Sequence, residues 1–161
     1  WAVPSRGYSF LRCYRIYRGD TLITDASTVW AYLDMKEKRP LRVEEYVPNF
    51  TTAPLSDFGQ PERKRIPTEG LSLLGKYSVR YADTDKNGHM NNTAYADMLC
   101  GFLDLRGARV SRLSINYMNE APYGDGLTVY GIAGEGGEWL FRTLRADGKT
   151  NIEASILLEK L

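Results

Sequence analysis

The chain has 161 residues, 43% of them hydrophobic and 25% charged, a globular balance that excludes a disordered chain or a coiled coil. Lys and Arg number 21 against 20 Asp and Glu, a formal charge of +1 that lacks the basic excess of a nucleic-acid surface. No apolar run nears the roughly 20 residues of a membrane-spanning helix, and Cys13, Cys100 and the single histidine share no metal-ligand spacing, so neither metal nor cofactor is expected.

From Tyr8 to Leu33 the chain is rich in Tyr, Ile, Leu, Thr and Val and is broken by a Gly-Asp pair in "RGD", Arg18 to Asp20. This predicts two antiparallel strands joined by a turn, with "MKEKRP" closing the second. Four of the seven prolines then fall between Glu44 and Glu69, among Asn, Thr, Ser, Asp and Lys. Such a stretch reads as a linker. The expected organisation is a first, strand-only module over 1–45, a linker over 46–74 and a second module over 75–161.

The second module opens on "GKYSVRYAD", where Tyr77, Val79 and Tyr81 alternate with polar residues as in a half-buried strand. Tyr95, Met98, Leu99, Phe102 and Leu103 fall at i, i+3, i+4, i+7 and i+8, the apolar stripe of a helix capped by Asn91 or Asn92. Gly101 weakens its second half. Four further strands are predicted over Arg109–Met118, Gly126–Ala133, Trp139–Ala146 and Thr150–Lys160, with "GEGG" and "ADGK" as hairpin turns. One helix followed by an antiparallel meander is an α+β pattern in which the helix buries its stripe against the sheet.

The only histidine, His89, lies in "VRYADTDKNGHMNN", between the strand and the helix. A helix start presents backbone N–H groups without intrahelical partners, which favour negative charge. Asp85, Asn87 and His89 are spaced two apart, so an extended segment would project them to one side. A carboxylate orients an imidazole and raises its proton affinity, and an amide can donate to a developing oxyanion. These are the parts of an acyl-transfer site. The same residue types also build an ordinary turn before a helix, and the spacing leaves both readings open. Glu120, in "NYMNEAPYGD", is either a second carboxylate facing the helix start or a solvated strand-end residue.

The span from Tyr77 to the C-terminus resembles the catalytic module of the acyl-acyl-carrier-protein (acyl-ACP) thioesterases of the hotdog superfamily. "VRYADTDKNGHMNNTAYADML" corresponds to their D-x-N-x-H-x-N-N-x-x-Y signature, and "INYMNEAPYGD" to the strand that carries their catalytic glutamate. "SFLRCYRIYRGDTLITDASTVWAYLDMKEKRPLRV" resembles the later strands of their N-terminal module. The resemblance implies a hotdog fold, an antiparallel sheet wrapped around a central helix, here as a tandem pair whose N-terminal module is incomplete. It implies that Asp85, Asn87, His89 and Glu120 form the catalytic site, with Glu120 as base or nucleophile. Plant members carry a cysteine directly after this glutamate, where this chain has Ala121.

The implied activity is hydrolysis of fatty acyl-ACP to free fatty acid and carrier protein, ending fatty acid synthesis. The alternatives are an acyl-CoA thioesterase of the same fold and a non-catalytic acyl-binding hotdog. Acyl carrier protein is the expected partner, with "ERKR" and the Arg106, Arg109 and Arg112 series as docking candidates. A homodimer is expected, with no nucleic-acid partner. With no export signal read at its start, the chain is expected in the cytoplasm, bacterial in preference to plastid.

Overall fold

The computed structural model describes every residue except 6, 35, 38, 47–51, 58, 62, 65 and 68. The chain forms two compact units, Trp1–Glu62 and Arg63–Leu161. The predicted linker at 46–74 falls partly on residues outside the described set.

The first unit is an antiparallel four-stranded sheet, β1 (Ala2–Val3), β2 (Ser9–Arg18), β3 (Thr21–Asp34) and β4 (Arg39–Leu41), in that spatial order. The predicted hairpin is β2–β3, turning through Gly19 at φ 56° and Asp20. A short helix, α1 (Val43–Tyr46), follows. Phe10, Leu11, Cys13 and Val43 are buried in this unit. The strands β1 and β4 and the helix α1 were not predicted, since elements of two to four residues carry no readable period.

The second unit holds β5 (Ser72–Ser78), α2 (Ala94–Cys100), β6 (Ala108–Tyr117), β7 (Gly126–Ala133), β8 (Glu138–Arg145) and β9 (Thr150–Lys160). The strands form one antiparallel sheet in the order β5-β7-β8-β9-β6. The helix α2 buries Tyr95, Met98 and Leu99 in one core with Val129, Phe141, Ile152 and Ile156 from the sheet. Burying each of the larger of these side chains is worth about 1.5–3 kcal/mol, which fixes the helix on the sheet more firmly than its own propensity does. This is the hotdog arrangement that the sequence led us to expect. A side chain at Gly131 of β7 would meet the Leu74 side chain at 2.7 Å and Phe141 at 3.2 Å, so this glycine lets the sheet close around its core.

Two elements differ from expectation. The helix ends at Cys100, and the chain continues in tighter turns, with the Phe102 N–H donating to Leu99 O and the Leu103 N–H to Cys100 O, both at 3.1 Å. Phe102 and Leu103 thereby still pack on the core. The strand β5 stops at Ser78, and Tyr81 lies 82% exposed in a 3₁₀ turn, Tyr81–Asp83. The cause is a local competitor for the ladder. The Asp83 carboxylate accepts the Arg80 backbone N–H at 2.8 Å and two guanidinium bonds at 2.8 and 3.1 Å, which turns the chain away from the sheet.

Candidate active site

The segment after the 3₁₀ turn is a small hairpin, not an extended run. Thr84 pairs with Met90, the Asp85 N–H donates to His89 O at 2.9 Å, and the Gly88 N–H closes the turn onto Asp85 O at 3.0 Å. Gly88 sits at φ 78°, a left-handed conformation that glycine adopts without strain. The spacing of Asp85, Asn87 and His89 is therefore read out through a turn. The Asp85 carboxylate accepts the Asn87 backbone N–H at 2.8 Å and its side-chain amide at 3.2 Å, which fixes Asn87. The carboxylate beside the imidazole is Glu120, with Oε2 at 3.3 Å from His89 Nδ1.

Backbone pairing brings these two together. His89 pairs with Pro122, the Met90 N–H donates to Ala121 O at 2.8 Å, and the Tyr123 N–H donates to Gly88 O at 3.1 Å. On the other side the Asn91 N–H donates to Asp83 O at 2.7 Å. The His89 and Glu120 side chains are 36% and 75% exposed. A pair so exposed contributes at most about 1 kcal/mol to stability. The fold does not need it, which favours a chemical role.

The helix start is mostly occupied. The N-cap is Thr93 and not the expected Asn91 or Asn92; Asn91 lies two residues ahead, its Oδ1 accepting the Thr93 N–H at 3.0 Å and the Thr93 hydroxyl at 2.9 Å. The Met90, Asn91 and Thr93 amides thus all have acceptors, whereas the Asn92 amide has none among the described residues. A carbonyl oxygen held there would meet one open backbone donor.

Beside Glu120 lies a cavity of about 140 Å³ lined by Met90, Asn92, Tyr95, Tyr117, Asn119 and Glu120 among others. At roughly 10–15 Å³ of such space per water, it has room for the reacting head of a substrate. A larger cleft of about 320 Å³ runs along Tyr77, Arg80, Asp97, Met98 and Phe102 and touches none of the four predicted site residues.

Sequence reasoning missed the residues behind this cavity. Asn151, in β9, is fully buried. Its side-chain amide donates to the Tyr95 hydroxyl at 3.0 Å and to Asn119 O at 2.5 Å, while its Oδ1 accepts the Thr143 hydroxyl at 3.0 Å. Burial pushes the Tyr95 hydroxyl above its usual range, an effect that the Asn151 bond opposes and the charges of Asp125 and Glu120 reinforce. Tyr117, also desolvated, is pushed up to about 12. Both phenols stay protonated at neutral pH. The one available signal was an asparagine inside an apolar strand, a residue type depleted there. Tyr95 is core, as its place in the apolar stripe predicts, and lines this cavity as well.

Several other expectations also meet the structure here. Both cysteines are free, and burial, followed by the charge of Asp97, pushes the Cys100 thiol up, away from the thiolate form. Of the docking candidates, Arg106 pairs with Asp104 at 2.6 Å, Arg109 with Glu159 at 2.9 Å and Lys64 with Glu138 at 2.8 Å. Two residues of "ERKR", 62 and 65, lie outside the described set. Among the described residues no helix is long and apolar enough to cross a membrane.

A curled antiparallel sheet around one helix, with a polar turn at the helix start, defines a hotdog-fold protein. The solved structure of an acyl-ACP thioesterase from Bacteroides thetaiotaomicron matches 99% of this chain with a TM-score of 0.87 at 17% identity. The 12:0-ACP thioesterase from Umbellularia californica matches 100% of it with a TM-score of 0.82 at 13% identity. The chain spans 66% of the length of each. No curated protein sequence matches it. The model of the acyl-ACP thioesterase C-terminal domain matches residues 69–160, more than half of the chain, which therefore belongs to the acyl-ACP thioesterase family.

Proposed function

We propose that this protein hydrolyses fatty acyl-ACP to free fatty acid and carrier protein, with Glu120, His89, Asn87 and Asp85 as its site. The observation that carries this reading is the 3.3 Å approach of His89 Nδ1 to Glu120 Oε2 beside a cavity of reacting-group size. Family membership supports the choice of substrate class.

In this mechanism Glu120 takes a proton from water as the water attacks the thioester carbonyl. His89, with Nδ1 3.3 Å from the carboxylate, polarises it. The oxygen that becomes negative is received by the Asn87 side-chain amide, which Asp85 fixes, and by the open Asn92 N–H. Collapse of the tetrahedral intermediate breaks the C–S bond, and the proton held by Glu120 passes to the departing sulfur.

We further propose that the first unit is the strand portion of a second hotdog module, that the protein works as a homodimer, and that it acts in the bacterial cytoplasm. Its two free cysteines suit such a reducing compartment.

Thiol release from one acyl chain carried on acyl carrier protein and on coenzyme A tests the reading. Turnover should be faster on the carrier protein. Glu120→Gln should lose about 10²- to 10⁴-fold in kcat, and Asn87→Ala about 10²- to 10³-fold, with the circular dichroism spectrum retained. A folded Glu120→Gln protein at full activity removes that residue from the mechanism, and faster turnover on coenzyme A replaces the carrier.

A further inference from the structure

Glu120 lies three residues beyond the end of β6, on a segment that has left the sheet. Its first residues, Met118 and Asn119, are held from β9 by Asn151 and Thr150. The backbone O of Asn151 accepts the Met118 N–H at 2.9 Å and the Asn119 N–H at 3.1 Å, and its side-chain amide donates back to Asn119 O. Asn119 in turn donates its side-chain amide to Thr150 O at 2.7 Å. The peptide leading into Glu120 is thus clamped on both faces by the chain at 150–151.

The second proton of the same amide goes to the Tyr95 oxygen. Tyr95 is 2% exposed, lines the cavity shared with Glu120, and stacks edge-on against Tyr117, whose own hydroxyl donates to Asn92 O at 2.9 Å. Because its oxygen already accepts from Asn151, the Tyr95 O–H proton points away from that amide. It has no acceptor among the described residues. A buried phenol does not leave its proton unbonded without cost, and an acceptor held in the cavity is where that proton can go.

We infer that Asn151 is a positioning residue for the reaction: it fixes the backbone that presents Glu120 and aims the Tyr95 O–H into the same cavity, where Tyr95 donates to the water that Glu120 activates. This rests on the proposed role of Glu120. Thr143 completes the device. Its hydroxyl binds Asn151 Oδ1 and accepts the Ile152 N–H at 3.2 Å, so the asparagine amide cannot turn over and offer its oxygen to Asn119.

The chemistry makes a specific test available. In Asn151→Asp the side chain keeps its shape, and when protonated it can still donate one hydrogen bond to Asn119 O; when ionised it can donate none. The titratable groups around it are Tyr95 on α2, Glu120 on the facing segment and the Arg145–Asp125 pair, joined at 2.7 Å, which acts on Tyr95. The experiment measures kcat and KM for an acyl-coenzyme A thioester against pH for wild type, Asn151→Asp, Asn151→Ser and Tyr95→Phe, with Glu120→Gln alongside.

The expected result is that kcat of Asn151→Asp lies within about threefold of wild type at low pH and falls tenfold or more as its carboxyl ionises. Asn151→Ser should lose kcat at every pH, and Tyr95→Phe should lose about tenfold in kcat with KM unchanged. If Asn151→Asp follows the wild-type profile, or if Tyr95→Phe, which keeps the packed ring, retains full kcat, the inference is overturned and the network is structural. Should the Asn151 variants fail to fold, Tyr95→Phe decides alone. A wild-type protein inert toward thioesters, or a fully active Glu120→Gln, overturns the underlying reading instead.

Discussion

Asp83 offers the sharpest quantitative test of how the site loop is held. Its side chain is 7% exposed and accepts four hydrogen bonds, from the Tyr77 hydroxyl at 2.7 Å, the Arg80 backbone N–H and two Arg80 guanidinium nitrogens. The guanidinium bonds, outweighing the cost of burial, hold its carboxyl well below the ordinary value of 3.8, at about 2. At 1.36 kcal/mol per unit, that lowering corresponds to about 2 kcal/mol of folded-state stability at neutral pH. The guanidinium end is 69% exposed, so water screens part of this, and between about 1 and 2 kcal/mol should survive. A carboxylate with a depressed folded-state value stabilises fully above its unfolded value, near 4, and loses that contribution as pH falls toward 2. By pH 3 about half should be gone. Asp83→Asn should therefore unfold at lower urea than wild type at pH 7, by between about 1 and 2 kcal/mol, and the gap should halve at pH 3. A gap of the same size at both pH values, or none at pH 7, would refute the claim that an ionised carboxylate organises this turn.

Two further outcomes follow from packing and from thiol chemistry. Gly131→Ala places a methyl 2.7 Å from Leu74 Cδ1 and 3.3 Å from Leu140 O, and should cost about 1–3 kcal/mol in thermal or urea unfolding; an unchanged midpoint would show that the sheet has slack there. Cys100→Ser should leave thioester turnover within about threefold of wild type, because burial keeps the native thiol protonated, and a folded but inactive variant would return that thiol to the mechanism.

The parts of this fold that could be read from sequence are those whose information is local and periodic. The strands β6 to β9 were placed to within about a residue, because alternation and Gly-containing turns repeat over eight to eleven residues at a time. The start of α2 was legible to within two residues from its apolar stripe, although the cap is Thr93 and not Asn91 or Asn92. Tyr81 was misplaced because alternation alone cannot register Asp83 bonding back to Arg80 and stopping the strand. Asp85 was expected beside His89, whereas its oxygens are spent on Asn87 across a tight turn, since spacing by two means one face only in extended chain. Asn151 stands out in sequence only as an asparagine in an apolar strand, and its role stays hidden because its hydroxyl partner Tyr95 lies 56 residues away with no motif to link them. The approach of Glu120 to His89 was one of two readings left open by its place at a strand end, and family resemblance chose between them.

The way the pair is assembled also says which changes the site tolerates. An imidazole and a carboxylate this exposed do not hold each other in place, since water competes for both at an interaction worth at most about 1 kcal/mol. Their geometry is inherited from the bonds of Met90 to Ala121, Tyr123 to Gly88 and Asn91 to Asp83, and from the Asn151 clamp on Asn119. Ala121 is fully buried between the paired segments, directly after the carboxylate. A bulky residue there would have to part the backbone that sets the His89–Glu120 distance, whereas replacing Glu120 itself removes chemistry and leaves that backbone intact. The side chains proposed to react are thus the most replaceable parts of the site for folding, and the small, buried residues beside them the least.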